Sequence, residues 1–162
     1  MSVPAYRTPD ERFVDLPGWT FTARYADQDG LRMHFVEQGR GDPILVLHGE
    51  PTWGFLYRKM IPRLSRDGRV VVPDLFGFGR SDKPTERDWY SYDAHYGSIE
   101  RLAVHQLGLS SMTIVMQDWG GPIGLSVGRS SVRKACRRTC HLDRLSRDGW
   151  PTAPSQVRFL PP

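Results

Sequence analysis

The chain has 162 residues, of which 39% are hydrophobic and 25% are charged, so it can bury the core of one domain and does not have the composition of a disordered chain. No apolar run approaches the roughly 18 residues of a membrane helix, and the first residues contain no apolar stretch typical of a secretory signal. Two cysteines cannot make a disulfide framework. We therefore expect a cytoplasmic protein without a secretory signal. The net charge of +4 is uneven, because residues 1–128 hold 14 basic and 16 acidic residues whereas residues 129–162 hold 8 and 2.

The predicted elements begin with a β-hairpin, in which the strands Phe21–Ala26 and Leu31–Glu37 flank a turn at Asp27–Gly30. The apolar run Ile44–His48 then predicts a strand that is buried on both faces. Apolar residues at helical spacing follow over Phe55–Leu64, and a proline inside this segment predicts a helix that is kinked or ends early.

A second set of elements repeats this alternation of buried strand and helix. Val70–Val72 predicts a buried strand, and the sequence PDLFGFGRSDKP after it predicts a loop because it contains two glycines and two prolines. Helical spacing predicts a helix over Tyr92–Leu107 that ends at Gly108, and Met112–Gln117 predicts a third buried strand. The alternation indicates an α/β fold with a parallel sheet and right-handed crossover helices.

Two polar segments directly follow predicted strands, namely His48–Trp53 and Gln117–Gly121. Reactive groups in open parallel sheets collect beyond the carboxyl ends of the strands. The second segment has the pattern of a nucleophile elbow, a sharp turn from strand to helix with Asp118 at its tip. A carboxylate is already ionised at neutral pH, and a helix N-terminus favours that state, so Asp118 could attack a carbon atom and form an ester.

The motifs HGEPTW, PDLFGFGRSDKP and MQDWGGPIGL together resemble the haloalkane dehalogenases of the α/β-hydrolase fold, over about residues 7–127. The resemblance implies that Asp118 displaces a halide from an alkyl halide and that the Trp119 indole N–H binds the departing halide. It also implies an oxyanion hole formed by the backbone N–H groups of Trp119 and Glu50. The resemblance implies no metal and no organic cofactor; the expected partners are a small alkyl halide and water, with no specific nucleic acid and no membrane.

Simpler roles remain open for several of these residues. An Asp–Trp pair after a strand can be a helix N-cap and a packing aromatic, and Glu50 can cap a helix that begins near Thr52. Trp53 is interpreted as pocket wall or packing rather than as a halide ligand. Asp74 and Asp82 are interpreted as residues that structure a loop, in which Gly77 and Gly79 supply positive φ. His48 is interpreted as stabilising its own loop. No functional role is assigned to the remaining histidines of the strands and helices, His34, His95 and His105.

The basic segment 129–162 departs from the family pattern, which ends at about Gly128. We therefore expect residues 1–128 to be the N-terminal part of an α/β-hydrolase domain that lacks the cap and the C-terminal strands. We expect residues 129–162 to be a non-native or disordered tail, because their Arg, Ser and Pro content is typical of a shifted reading frame. Without a later strand, Met112–Gln117 would be an exposed apolar edge that promotes aggregation.

The tail also provides no recognisable catalytic base or acid. His141 and Asp143 are its candidates, but they lie in no recognisable strand-end loop, and no role is assigned to them. The pattern C-x₃-C-H at Cys136, Cys140 and His141 lacks a second ligand pair for zinc. The sequence thus predicts a haloalkane dehalogenase-like hydrolase without turnover; the alternatives are an epoxide hydrolase-like enzyme and a non-catalytic fragment whose basic tail binds anions.

Overall fold

The computed structural model describes residues 3–131 and the strand at 138–141. The strands are β1 (Ala5–Tyr6), β2 (Ala23–Gln28), β3 (Leu31–Gln38), β4 (Pro43–Leu47), β5 (Arg69–Pro73), β6 (Lys83–Pro84), β7 (Thr113–Met116) and β8 (Arg138–His141). The α-helices are α1 (Ile61–Leu64), α2 (Tyr92–Glu100) and α3 (Gly120–Ser131), and α2 continues as a π-helix over Arg101–Gln106. Short 3₁₀ turns occupy Asp10–Phe13, Gly54–Tyr57 and Arg87–Trp89.

Six of the strands form one mixed sheet in the order β2-β3-β5-β4-β7-β8. The hairpin strands β2 and β3 are antiparallel to each other, and β3 is antiparallel to β5. From β5 onwards, each neighbouring pair of strands is parallel. This topology confirms the predicted α/β fold with an N-terminal hairpin, and it brings the carboxyl ends of β4, β5 and β7 to one edge of the sheet.

The hairpin turn is shorter than predicted. Gln28 pairs with Leu31, which leaves only Asp29 and Gly30 in the turn. Their φ angles of 57° and 86° both lie in the left-handed region, as a two-residue type I′ turn requires. Strand β2 therefore runs to Gln28, beyond the predicted end at Ala26, because two residues are enough to reverse the chain.

The segment after β4 forms two short helical pieces instead of one helix. A 3₁₀ turn at Gly54–Tyr57 is followed by α1, whose first turn contains Pro62. Proline has no N–H to donate, so it is tolerated in the first turn of a helix but not in its interior. The predicted interruption is thereby confirmed.

The core lies on both faces of the sheet, because side chains alternate along each strand. Along β4, Leu45 and Leu47 face one side and Val46 faces the other, and all three are fully buried. The first side is covered by α2, the π-helix and α3 through Ile99, Leu102, Ile123 and Val127, whereas the second is covered by Tyr57 and Ile61. Within the described residues, no helix combines the length and hydrophobicity of a bilayer-crossing segment.

Strand β8 corrects the expected edge of the sheet. It pairs in parallel with all four residues of β7, from Thr113–Arg138 to Met116–His141. The expectation that Met112–Gln117 forms an exposed edge is therefore wrong for β7. The sequence RTCH has neither a strict alternation of apolar and polar residues nor a run of β-branched residues. The strand is therefore defined by its backbone pairing with β7 and is not predicted by its side-chain pattern. The division at residue 128 stays a prediction; residues 129–131 are the last residues of α3, and the tail residues other than these and β8 lie outside the described part.

Candidate active site

Asp118 lies at the tip of a sharp turn between β7 and α3. Its φ of 52° is in the left-handed region, which is uncommon for a residue other than glycine. The amide of Gly120 donates to the carbonyl of Gln117 at 3.0 Å, and that of Gly121 donates to the carbonyl of Asp118 at 2.8 Å. Helix α3 thus begins immediately after the strand, and the carboxylate is held at the point where the strand ends.

Two glycines allow this turn to approach the end of β4. A Cβ at Gly120 would lie 2.5 Å from the carbonyl oxygen of Leu47, and one at Gly49 would lie 2.3 Å from Asp118 Oδ1 and 2.6 Å from the Trp119 amide nitrogen. These distances are far below van der Waals contact. The role of glycine at both positions is therefore steric, because the missing Cβ lets the two backbones meet.

The segment after β4 presents a backbone donor to Asp118. The amide of Glu50 donates to Asp118 Oδ1 at 3.0 Å. The carbonyl of Gly49, which belongs to the same planar peptide group, accepts from Thr52 N at 2.9 Å, Thr52 Oγ1 at 2.8 Å and His48 Nδ1 at 3.0 Å. Three donors on the carbonyl side fix the peptide plane, so they also fix the direction of the Glu50 N–H.

His48 connects this segment to the loop after β5. Its buried Nε2 accepts from the Leu75 amide at 2.9 Å, so Nδ1 carries the proton that it donates to the Gly49 carbonyl. Burial lowers the pKa of His48 more strongly than Asp74 and the Gly49 carbonyl raise it. The neutral ring thus stabilises its loop, as predicted from the sequence.

Asp74 is a fully buried carboxylate that gathers three donors from different segments. Its Oδ1 accepts from the Gly54 amide at 2.8 Å, and its Oδ2 accepts from the Arg80 amide at 2.9 Å and from His34 Nδ1 at 2.8 Å. Burial raises the pKa of Asp74, but the hydrogen bonds from His34 and the Arg80 amide, together with the electrostatic interactions with His34 and His48, lower it overall. Asp74 therefore structures its loop as predicted, whereas His34, read as an ordinary strand histidine, belongs to this network.

Asp82 has the second predicted loop role. Its carboxylate accepts two hydrogen bonds of 2.7 Å from the Arg7 guanidinium and one of 2.8 Å from the Arg32 amide. The loop between Asp74 and Asp82 also contains Gly77 and Gly79, with φ angles of 92° and 49°. The positive φ predicted for both glycines is confirmed.

The structure bears on the simpler roles that the sequence leaves open for Glu50 and Trp53. The 3₁₀ turn after the Glu50 segment has Trp53 as its N-cap and no side-chain capping bond, so Glu50 does not cap it. The Trp53 ring stacks on Phe55 at 5.4 Å with a 20° tilt and contacts Trp19 at 5.1 Å. Trp53 is therefore a packing residue.

A cavity of about 380 Å³ opens beside the elbow. It is lined by Glu50, Leu75, Gly77, Phe78, Tyr90, Ser91, Tyr92, His95, Trp119 and Ile123. Trp119 is 52% exposed, so its ring forms part of the cavity wall rather than of the core. The structure thus brings Asp118, Trp119 and Glu50 together, and it adds His95, whose position the sequence could not show because the cavity is formed by four separate segments.

The structure describes only some of the tail residues that are candidates for a catalytic base or acid or for zinc ligands. His141 is the last residue of β8 and lies in register with Met116, two residues before Asp118, so it occupies a strand end after all. Cys140 belongs to the same strand, whereas Cys136 and Asp143 lie outside the described residues. The expectation that these residues form no zinc site therefore stays a prediction, and Asp143 keeps no assigned role.

Comparison with known proteins gives a consistent set of similarities. Residues 42–136 match the family model of the alpha/beta hydrolase fold, which extends beyond the expected end of the family pattern at Gly128. A haloalkane dehalogenase from Psychrobacter cryohalolentis is 48% identical over 127 residues, which are 74% of this chain and 42% of that protein. The chain thus spans less than half the length of this relative.

Solved structures show the same likeness. The haloalkane dehalogenase DpaA from Paraglaciecola agarilytica, described as tetrameric, matches with a TM-score of 0.80 and 42% identity over 85% of this chain and 48% of that one. A variant of an epoxide hydrolase from Vigna radiata matches with a TM-score of 0.69 and 29% identity over 77% and 39%. With the family model, the sheet order and the elbow in agreement, the chain belongs to the α/β hydrolase fold family.

Proposed function

We propose that this chain carries out the first half of a haloalkane dehalogenase reaction, with Asp118 as the nucleophile. The observation that carries the proposal is the position of the Asp118 carboxylate, at the tip of a left-handed turn with Oδ1 held by the Glu50 amide at 3.0 Å. A fixed carboxylate between two cavity-lining residues, Glu50 and Trp119, needs no separate base to become a nucleophile. The similarity to haloalkane dehalogenases supports a halide as the leaving group.

The two carboxylate oxygens of Asp118 have different roles in this proposal. Oδ1 is engaged by the Glu50 amide, which leaves Oδ2 to attack the carbon that bears the halogen. The new C–O bond forms as the carbon–halogen bond breaks, and the halide leaves with the bonding electron pair. The product is an alkyl ester whose carbonyl oxygen, Oδ1, already lies on the backbone donor that would stabilise an oxyanion during hydrolysis.

Trp119 is proposed as the donor to the departing halide. Its ring lines the same cavity as Glu50, and an indole offers one N–H and an otherwise apolar surface. The apolar wall residues Leu75, Phe78 and Ile123 suit an alkyl chain. Small alkyl halides are therefore the proposed substrates.

Hydrolysis of the ester needs a base that activates water. Among the described side chains, no histidine hydrogen-bonds to Asp118: His34 and His48 are committed to Asp74 and to the Gly49 carbonyl, His105 is exposed, and His95 lines the cavity without a hydrogen bond to Asp118. We therefore propose that the chain stops at the alkyl ester. His141 is the first candidate if turnover occurs, because it ends the strand next to β7.

Counting released bromide tests this proposal. The full chain is incubated with excess 1-bromobutane, and bromide is measured against protein concentration, with Asp118→Asn as the variant that keeps the shape of the side chain. We expect at most one bromide per chain and none from the variant. Repeated turnover that His141→Gln abolishes would overturn the single-turnover part, and equal release by Asp118→Asn would overturn the nucleophile and leave a non-catalytic chain.

Epoxide hydrolysis is the second candidate, because a solved epoxide hydrolase shares this fold with a TM-score of 0.69. Opening an epoxide requires hydroxyl groups that donate to its oxygen. In the described cavity, the hydroxyl of Tyr90 donates to the Pro84 carbonyl at 2.8 Å, and that of Tyr92 donates to the Pro122 carbonyl at 2.9 Å. Both are already engaged, so we expect 1,2-epoxyhexane to leave Asp118 unmodified.

A further inference from the structure

His95 stands out among the polar side chains of the cavity. It lies in the first turn of α2, is half-buried, and lines the cavity together with Trp119 and Glu50. The motif that suggests the catalytic residues does not include it. Its ring contacts Trp89 edge to face at 5.7 Å and Tyr90 at 6.1 Å, so neighbouring aromatics hold it in place.

Apart from the Trp119 indole N–H, which is proposed to bind the halide, the other polar side chains of the wall are engaged or open to bulk water. The hydroxyls of Tyr90 and Tyr92 donate to backbone carbonyls, and Ser91 Oγ accepts from the Ala94 amide at 3.2 Å as the N-cap of α2. The Glu50 side chain is exposed. Within the described residues, His95 therefore provides a hydrogen-bonding group of the wall that no protein atom uses.

The environment of the ring decides which nitrogen faces the cavity. His95 Nδ1 is buried and has no hydrogen-bond partner among the described residues, so Nε2 is the nitrogen left to reach the cavity. A buried N–H without an acceptor is rarer in proteins than an under-used acceptor. The favoured neutral tautomer is then the one with the proton on Nε2, and burial together with the nearby His48 lowers the pKa of His95 and so favours the neutral ring.

We propose that His95 Nε2–H is a specificity donor for substrates that carry an oxygen acceptor on the alkyl chain, so that haloalcohols and haloethers bind better than plain haloalkanes of the same length. The proposal rests on the proposed function, because it assigns a substrate class to the same cavity. The halogen end meets Asp118 and Trp119, the chain lies along the apolar wall, and the distal oxygen accepts from His95. An apolar substrate would displace water from this donor without replacing its hydrogen bond, which disfavours its binding.

Isosteric substrate pairs test the proposal. The rate of bromide release is compared for 1-bromobutane and 3-bromopropan-1-ol, which differ by a methyl group and a hydroxyl, and for longer pairs of the same kind, with the full chain and its variants. We expect His95→Phe to reduce the preference for the alcohol by about three- to tenfold at the best chain length, the range of one net hydrogen bond. His95→Gln, which keeps an N–H donor, should retain part of it, and His105→Phe, at an exposed histidine that does not line the cavity, should leave the ratio unchanged.

Imidazole nitrogen spectra give a second readout that needs no reaction. Two-bond ¹H–¹⁵N spectra of the full chain should show the Nε2–H tautomer for His95, and its Nε2 resonance in Asp118→Asn should shift with 3-bromopropan-1-ol more than with 1-bromobutane. An Nδ1–H tautomer, equal shifts, or an unchanged substrate ratio in His95→Phe at every chain length would overturn the proposal. No bromide release by the wild type, together with a selective His95 shift, would instead overturn the proposed function and leave this binding role supported.

Discussion

Replacing Gly49 by alanine tests whether close contact between the two backbones creates the active arrangement. The added Cβ would lie 2.3 Å from Asp118 Oδ1, 2.5 Å from Asp118 Cβ and 2.6 Å from the Trp119 amide nitrogen. Non-bonded contacts lie at about 3.5–4.0 Å, so the elbow and the Glu50 segment must separate by roughly 1 Å. Because two of these three atoms belong to the elbow itself rather than to the end of a flexible side chain, rotation of one side chain cannot relieve the clash.

The separation would lengthen the 3.0 Å bond between the Glu50 amide and Asp118 Oδ1 beyond hydrogen-bond range. Bromide release reports the displacement step, for which the alignment of the Asp118 carboxylate matters, and a displacement of this size can reduce a rate about 10²-fold. We therefore expect Gly49→Ala to release bromide at least about 10²-fold more slowly than the wild type. Overpacking should also lower the free energy of unfolding by about 1–3 kcal/mol.

The chain offers a matched control for this substitution. Gly97 lies in α2, and a Cβ there would meet no atom within 4 Å. Gly97→Ala should therefore leave bromide release unchanged and stabilise the helix by about 0.5–1 kcal/mol. Bromide release is measured at a temperature at which circular dichroism shows all three proteins folded. If Gly49→Ala reacted within threefold of the wild type, the fixed contact between Glu50 and Asp118 would not be required.

Three further predictions concern the surroundings of Asp118. Thr52→Val removes the hydroxyl that donates to the Gly49 carbonyl, so we expect about 1 kcal/mol less stability in urea unfolding and slower bromide release. The lowered pKa of His48 means that the folded protein binds this proton less tightly than the unfolded chain does. The free energy of unfolding should therefore be highest above about pH 6.5 and fall as the pH decreases below that value. In urea unfolding between about pH 5 and 7, the free energy of unfolding of His48→Gln should depend less steeply on pH than that of the wild type. Deleting residues 138–162 removes β8 and unpairs β7, so we expect a lower melting temperature and concentration-dependent light scattering; an unchanged melt would show that β8 adds no stability.

The sequence was sufficient for the elements whose signals are local. Buried strands, the elbow at Asp118 and the interruption by proline all follow from hydrophobic runs, from glycines and from the missing N–H of Pro62. The roles of Asp74 and Asp82 could be predicted as a class, but their partners could not. His34 is 40 residues from Asp74 and Arg7 is 75 residues from Asp82, and such distant pairs depend on sheet order rather than on local pattern.

Two features depended on tertiary structure alone. The pairing of β8 with β7 is a backbone property that the side chains of RTCH do not indicate. The place of His95 in the cavity arises because α2 packs beside the elbow, and its helical neighbours give no sign of a cavity. Both were missed for the same physical reason, namely that the deciding contacts lie between segments far apart in the sequence.

The ester on Asp118 is the central claim, and its chemistry can be measured directly. The full chain is treated with 1-bromobutane, digested and analysed by mass spectrometry, before and after treatment with neutral hydroxylamine. An alkyl ester of Asp118 predicts a butyl adduct on the peptide containing this residue, which hydroxylamine converts to the hydroxamate by attack at Cγ. A butyl group found on Cys136 or Cys140 and resistant to hydroxylamine, with Asp118 unmodified, would contradict the account, because it would show simple thiol alkylation.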